Sequence, residues 1–125
     1  MIIPKPDGTI EDVILTDDRR GVAALRPFLP PRFCEEAARL IPGQRGNIFV
    51  VTGFFTLSAG LPETDGPPGA LALGKALNRL GFATHYVTDR FTAPLLEAMA
   101  GGAGKVITFP LADRSQSERY ALDLL

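Results

Sequence analysis

The hydrophobic and polar positions of the chain predict three strands after residue 46. A nearly continuous apolar run over residues 47–51 ends at Thr52-Gly53, which predicts a strand buried on both faces. Residues 83–88 and 105–109 are rich in β-branched and aromatic side chains and predict two further strands.

The segment after the first strand predicts a polar loop followed by a helix. Glu63 to Gly66 combines carboxylates with turn residues, and Pro67 or Pro68 suits the first turn of a helix. Gly74 falls on the apolar stripe of this helix, where the lack of a side chain lets the helix approach the sheet closely. The other stripe residues are Ala70, Leu73, Leu77 and Leu80, and Gly81 ends the helix.

Helical spacing also predicts the remaining elements. Short helical segments are expected over residues 10–15 and 22–25, and Pro31 or Arg32 begins a helix that runs to residue 41. Thr92 caps a helix through residue 99, and a capping box over residues 115–118 opens the last helix from Gln116 onward. The inner stripe of the 31–41 helix is predicted to be Phe33, Ala37, Leu40 and Ile41, with Pro42-Gly43 as its stop.

Strand and helix alternate three times after residue 46, which predicts the α/β class. We expect a three-layer, Rossmann-like open parallel sheet of three to four strands, with helices on both faces. Strand orders 3-2-1 and 2-1-3 both satisfy right-handed crossovers. A single domain over residues 1–125 is predicted, with an extended arm (1–9), N-terminal helices (10–46) and a βαβαβα core (47–125). So small a sheet is expected to be the first half of a larger domain, or to be completed by a second copy or a partner chain.

Composition narrows the classes of partner. The 125 residues are 46% hydrophobic and 22% charged, so a packed core is expected. The formal net charge of −1 gives no surplus of cations, so neither nucleic acid nor an anionic membrane is expected as a partner. No apolar run approaches a membrane span, and the single Cys34 fits a reducing compartment, so a cytoplasmic protein is expected. Cys34 is predicted to be a small half-buried side chain rather than a reactive thiol.

The candidate site lies where the strands end. Parallel strands end on one edge of a sheet, so Thr52-Gly53, Thr88-Asp89 and Phe109-Pro110 should lie close together, beneath the loop over residues 63–69. Asp89 follows Gly69 by about the 20 residues that separate the glycine loop and the ribose-binding acid of dinucleotide folds.

The negative charges of this loop and its missing N–H donors nevertheless disfavour a bound phosphate. Pro67 and Pro68 lack N–H donors, and Glu63 and Asp65 repel anions. A zwitterion fits better, because its carboxylate can meet the N–H groups of residues 69–70 while an acid accepts its ammonium. A divalent cation between the acids and an anionic ligand would satisfy the same charges, although the sequence requires no cofactor.

Each of these residues also has a structural interpretation. Asp65 can cap the helix, Glu63 can be a solvated loop residue, and Asp89 can form the turn at the strand end. His85 is more typical of a packed or hydrogen-bonded strand residue, and Arg20 of a solvated turn.

The string ETDGPPGA at Glu63 to Ala70, with VTGF at residues 51–54, LNRLG at 77–81 and VTD at 87–89, resembles the C-terminal domain of the D-glutamate cyclase family. The segment TDDRRGV at residues 16–22 is similar to that family's N-terminal Asp/Arg-Gly segment. The resemblance implies an α/β domain and dehydrating ring closure of D-glutamate to 5-oxo-D-proline, or the reverse. Family domains are longer, so the chain is expected to end short of one.

With this ligand, Glu63 or Asp65 is the predicted base, Asp89 orients the substrate or binds a cation, and Arg20 clamps the second carboxylate. The same three acids are the expected ligands of any metal ion. The predicted substrate-binding residues are Arg20, Thr52, Gly53, Thr64, Gly66, Gly69, Ala70 and Thr88. A nucleotide-binding module without catalytic activity and a structural piece completed by a partner chain remain open.

Overall fold

The computed structural model describes residues 8–16, 18–41 and 46–125 of the chain. The chain divides into two compact units, Met1–Arg45 and Gly46–Leu125, and each is considered by itself. Most of the predicted N-terminal arm and the predicted helix stop at Pro42-Gly43 lie outside the described residues. The single domain over residues 1–125 stays a prediction.

The described residues of the first unit form three short helical elements: α1 (Ile10–Ile14), a 3-10 helix (Val22–Phe28) and α2 (Phe33–Arg39). A reciprocal capping box begins α1, because Thr9 accepts from the Asp12 N–H and the Asp12 carboxylate accepts from the Thr9 N–H at 2.8 Å. The predicted inner stripe of α2 is wrong at Ala37 and Leu40, which are both exposed, Leu40 to 72%; the helix ends at Arg39, before Leu40.

A three-stranded parallel sheet forms the centre of the second unit. Its strands are β1 (Asn47–Val51), β4 (Ala83–Thr88) and β5 (Lys105–Thr108), in the order β1-β4-β5. The α/β class with an open parallel sheet flanked by helices is therefore confirmed, and the order is the 3-2-1 alternative. The predicted burial of β1 on both faces is wrong, because β1 lies at the edge of this sheet and Val51 is 76% exposed.

Between β1 and β4 the chain forms a hairpin and then a long helix. The hairpin strands β2 (Phe55–Thr56) and β3 (Leu61–Pro62) pair antiparallel where the sequence predicted only a loop. Two-residue strands are too short to show a period, so the pattern could not reveal them. The Phe55 ring stacks on Phe91 at 4.2 Å, which holds the hairpin against the segment after β4.

Helix α3 (Gly66–Arg79) begins one residue before the predicted prolines and packs on β4. Gly74 is buried on the packed side, where a Cβ would lie 2.7 Å from two ring atoms of Tyr86. The close approach predicted for Gly74 is confirmed.

Two further helices complete the second unit: α4 (Ala93–Ala100), which contacts α3 and β5, and α5 (Arg114–Leu124). The predicted capping box of α5 is wrong. The helix begins two residues earlier than expected, and Asp113 is its N-cap, accepting from the Gln116 N–H at 2.9 Å. Among the described residues, no helix has the length and apolarity needed to cross a membrane.

Candidate functional site

Backbone hydrogen bonds bring the carboxyl ends of the three strands together. The Thr52 N–H donates to the Val87 carbonyl at 3.0 Å, and the Phe109 N–H donates to the Thr88 carbonyl at 2.7 Å. The residues just beyond these bonds surround a cavity of about 330 Å³, which we call the strand-end cavity. Its lining residues are Val51, Thr52, Gly53, Val87, Thr88, Asp89, Phe109, Pro110 and Leu111.

Gly53 occupies a position of this cavity that no other residue type would fit. Its φ is +128°, and a Cβ would lie 2.5 Å from Asp89 Oδ2 and 2.7 Å from Thr88 Oγ1. Two side-chain oxygens of neighbouring residues therefore converge on the Gly53 backbone. Any side chain there would displace them and would also strain the backbone.

Asp89 forms the turn that leads into α4, whose N-cap position is Thr92; the predicted cap by the Thr92 side chain is wrong, because it makes no capping hydrogen bond. Its Oδ1 accepts from the N–H groups of Phe91 at 2.7 Å and Thr92 at 2.9 Å, and its Oδ2 accepts from the Thr92 hydroxyl at 3.0 Å. These bonds are the turn-forming role that the sequence offered as the structural interpretation of Asp89. One lone pair of Oδ2 remains available, because a carboxylate has about four acceptor positions.

The Thr88 hydroxyl is a buried polar group without a partner. Thr88 is 2% exposed and lines the strand-end cavity, yet its Oγ1 has no hydrogen bond among the described residues. Leaving a hydroxyl unpaired inside a protein costs about 1–3 kcal/mol, so such groups are rare.

A second cavity of about 380 Å³ lies on the other side of the β1 terminus, at the start of α3. We call it the helix-start cavity. Thr52 and Val51 line both cavities, and the carboxylate here belongs to Asp65. The remaining lining residues are Val50, Gly66, Gly69, Ala70 and Leu73.

Asp65 occupies the N-cap position of α3 without capping it. Its φ and ψ are −87° and −34°, in the helical region, and its side chain accepts no capping hydrogen bond. N-cap residues normally have extended backbone, which directs the side chain back at the N–H groups of the first turn. The helical backbone of Asp65 explains why its exposed carboxylate accepts no hydrogen bond from the first turn of α3.

The free donor at the start of α3 differs from the predicted ones. Since the helix begins at Gly66, the Ala70 N–H falls within the i to i−4 ladder, and the Gly69 N–H donates to the Asp65 carbonyl at 3.5 Å. No hydrogen bond of the described residues uses the Gly66 N–H, which precedes two prolines. A Cβ on Gly66 would lie 2.7 Å from the Thr52 hydroxyl, so these two polar groups are neighbours.

Glu63, Thr64 and Arg20 are the remaining predicted site residues. Glu63 and Thr64 are exposed and line neither cavity, and Arg20 belongs to the first unit. Within residues 8–16, 18–41 and 46–125, no three His, Cys, Asp or Glu side chains are grouped closely enough to hold a metal ion. Glu63, Asp65 and Asp89 are therefore not assembled as a shared ion site in the described structure.

His85 and Cys34 have the structural surroundings that the sequence favoured. The Nε2 of His85 lies 3.3 Å from Asn47 Oδ1, and its ring packs 5.6 Å from that of Phe49. Cys34 is half buried, and burial together with the negative charge of Glu11 raises the pKa of its thiol. A raised pKa lowers the thiolate fraction and hence the reactivity.

The sequence did not identify the apolar wall of the strand-end cavity. Val51, Val87 and Leu111 line it, and Leu111 is 65% exposed. The sequence signal that could have revealed this wall was Leu111, an apolar residue directly after Pro110 at the end of a predicted strand. An apolar residue exposed at the carboxyl edge of a parallel sheet lies where such folds bind ligands.

Comparison with known proteins identifies a family. The family described as D-glutamate cyclase-like, C-terminal, matches residues 10–123 and thus covers nearly the whole chain. No match was found among curated proteins or among solved structures.

Proposed function

The chain belongs to the D-glutamate cyclase-like C-terminal family, and on that premise we propose that it binds a small amino acid or carboxylate in the helix-start cavity. D-Glutamate and its cyclic form, 5-oxo-D-proline, are the first candidates. The reaction proposed for the site is the dehydrating interconversion of the two.

The observation that carries the proposal is the carboxylate of Asp65. It lines a cavity, stands at the beginning of a helix and serves neither as a helix cap nor as part of a salt bridge among the described residues. A carboxylate without internal partners is available to accept the ammonium of an amino acid.

The start of α3 supplies the complementary charge. The Gly66 N–H and the positive end of the helix dipole attract a carboxylate, and the Thr52 hydroxyl beside Gly66 can donate a further hydrogen bond. An amino acid would thus place its two charged ends on groups of opposite charge within one cavity. A phosphate would find one free N–H and an adjacent negative charge, which makes it a poorer ligand.

Ring closure makes a defined demand on these residues. The ammonium of D-glutamate must lose two protons as its nitrogen bonds to the γ-carboxyl carbon, and one γ-carboxyl oxygen leaves with those protons as water. Asp65 is the proposed base for the first proton, since it lines the cavity and Glu63 does not. The Gly66 N–H and the Thr52 hydroxyl stabilise the negative charge that develops on the other γ-oxygen.

The test combines binding and turnover. Calorimetry with D-glutamate and with 5-oxo-D-proline measures affinity, and NMR of the mixture follows interconversion, for the parent and for Asp65→Asn. The matched control is Asp123→Asn, which removes a carboxylate exposed on α5. We expect Asp65→Asn to weaken D-glutamate binding about tenfold, as for a hydrogen bond between charged groups, and the control to leave it unchanged.

Other outcomes discriminate between the alternatives. Turnover that survives in Asp65→Asn and fails in Glu63→Gln would move the base to Glu63. Binding without turnover in the parent would reduce the proposal to a carboxylate-binding domain. Binding of NAD or AMP with no response to amino acids would replace it with the nucleotide-binding function.

A further inference from the structure

The strand-end cavity has properties that the proposed function does not use. Asp89 is the one ionisable residue among those that line it, so the only formal charge of the cavity is negative. The walls are formed by Val51, Val87 and Leu111 together with an aromatic ring and a proline. This combination repels carboxylates and phosphates and suits a ligand with an apolar body.

The polar end of the cavity consists of two adjacent side chains. Thr88 Oγ1 is buried without a partner among the described residues, and Asp89 Oδ2 accepts a single hydrogen bond, from Thr92. Both oxygens lie within 2.7 Å of the position that a Cβ on Gly53 would take. Because Gly53 has no Cβ, both oxygens lie beside its backbone, at the wall of the strand-end cavity.

Phe109 is a third residue of the cavity that suits a positively charged ligand. Phe109 lines the cavity, and its ring makes an edge-to-face contact with Tyr120, with ring centroids 5.0 Å apart. Aromatic rings attract cations through their quadrupole. A carboxylate oxygen, an unpaired hydroxyl and an aromatic ring in one apolar cavity are together the groups that recognise an organic ammonium.

We propose that the strand-end cavity binds the primary ammonium group of a ligand with an apolar aliphatic body. The ammonium donates to Asp89 Oδ2 and Thr88 Oγ1, and the aliphatic part packs on the valines and Leu111. This site is separate from the Asp65 carboxylate and does not depend on the function proposed for the helix-start cavity.

The first arm of the test changes the ligand and leaves the protein intact. Cyclopentylammonium, cyclopentanol and cyclopentanecarboxylate share one apolar ring and differ in charge. Amide NMR titrations that follow Gly53 and Asp89 would give their dissociation constants. We expect the ammonium to bind at least about tenfold more tightly than the alcohol, as for a hydrogen bond to a charged group, and the carboxylate not to bind. Equal affinity for ammonium and alcohol, or tighter binding of the carboxylate, overturns the proposal.

The second arm removes one polar group at a time. Asp89→Asn keeps an acceptor for the start of α4, since asparagine caps helices as well as aspartate does, and it removes the charge. It should weaken cyclopentylammonium binding about tenfold. Thr88→Val removes the hydroxyl at nearly constant shape and should weaken binding about threefold, whereas Thr88→Ser should retain it. Unchanged affinity in both Asp89→Asn and Thr88→Val would place the amine elsewhere and reject the site.

The two cavities are distinguished by exchanging variants and ligands. Asp65→Asn should leave cyclopentylammonium binding unchanged, whereas Asp89→Asn should weaken it. Loss of amine binding in Asp65→Asn would contradict a separate ammonium site. Failure of D-glutamate to bind the parent would bear on the helix-start cavity alone, because the amine titration is read independently.

Discussion

The ring of Tyr86 occupies the space that a side chain at Gly74 would need. Tyr86 is fully buried on β4, and a Cβ on Gly74 of α3 would lie 2.7 Å from its Cε1 and Cζ atoms. On another side of the ring, a Cβ on Gly104 would lie 2.8 Å from its Cε2. Two glycines thus confine the aromatic ring, and this packing fixes the distance between helix and sheet.

Gly74→Ala should destabilise the protein although alanine is the better helix former. The gain in helix propensity is about 1 kcal/mol, whereas overpacking a core commonly costs about 1–3 kcal/mol, and Tyr86 has no space to move into. We expect a net loss of about 1–2 kcal/mol in urea unfolding. The matched control is Gly69→Ala in the same helix, where a Cβ would meet nothing within 4 Å. That variant should be as stable as the parent or more so; equal effects of the two substitutions would refute the packing argument.

Substitution by valine should change the free energy of unfolding differently at two buried threonines, Thr88 and Thr92. Thr92 is fully buried and its hydroxyl donates to Asp89, so Thr92→Val should cost about 1 kcal/mol. The Thr88 hydroxyl has no partner among the described residues, so Thr88→Val should leave the free energy of unfolding unchanged or raise it by up to about 1 kcal/mol. Thermal unfolding of both variants measures the contrast. A larger loss for Thr88→Val than for Thr92→Val would show that the Thr88 hydroxyl is paired in solution.

The start of α5 can be located by removing its cap. Asp113 accepts the Gln116 N–H at 2.9 Å, so Asp113→Ala should reduce stability by about 1 kcal/mol. Ser115, which the sequence pattern favoured as the cap, lies inside the helix, and Ser115→Ala should change stability by no more than about 0.5 kcal/mol. Urea unfolding would distinguish the two. A larger effect of Ser115→Ala would restore the capping box as the start of the helix.

The first unit should lose stability in acid through Glu11. Hydrogen bonds from its own backbone N–H and from the Cys34 N–H lower the pKa of Glu11 from 4.5 to about 2. Because the pKa is lower in the folded state, the contribution of Glu11 is complete above pH 4.5 and is lost as the pH falls toward 2. An NMR titration of the Glu11 side chain and the Cys34 amide should show this transition.

Glu11→Gln provides the comparison for the acid range. Its stability should depend less on pH between 4.5 and 2 than that of the parent, because the titrating carboxylate is gone. Parallel pH profiles for parent and variant would contradict the assignment. The same variant should make Cys34 react faster with iodoacetamide, since the charge of Glu11 contributes to the raised pKa of the thiol.

The local pattern of hydrophobic and polar residues predicted most helices and strands of the second unit. The spans of β4 and β5, the existence of α3 and α4 and the buried position of Gly74 follow from periods of two and 3.6 residues and from glycine and proline at the ends. These features depend on neighbours in sequence. The hairpin over residues 55–62 does not, because its short strands are held by Phe55 stacking on Phe91, a residue far along the chain.

The sequence pattern could not separate two roles for Asp65 and for Asp89, because residue type alone allows both. Both are acids next to a helix, and the difference between them is conformational. Asp89 accepts hydrogen bonds from two N–H groups of the turn before α4, whereas the helical φ and ψ of Asp65 leave its carboxylate without such a contact. Backbone angles at a single residue depend on the packing around it and cannot be read from its identity.

The sequence by itself determined the α/β class, the order of the main elements, the edge of the sheet at which the strand ends meet and, through the ETDGPPGA string, the family of the chain. These follow from local periodicity, turn residues and a specific string, all of which are properties of neighbours along the chain. The tertiary structure decided that Thr52 and Val51 separate two cavities, that the Asp65 carboxylate caps no helix while Asp89 holds one, and that the Thr88 hydroxyl is unpaired among the described residues. Those properties depend on distances between segments remote in sequence, which packing sets.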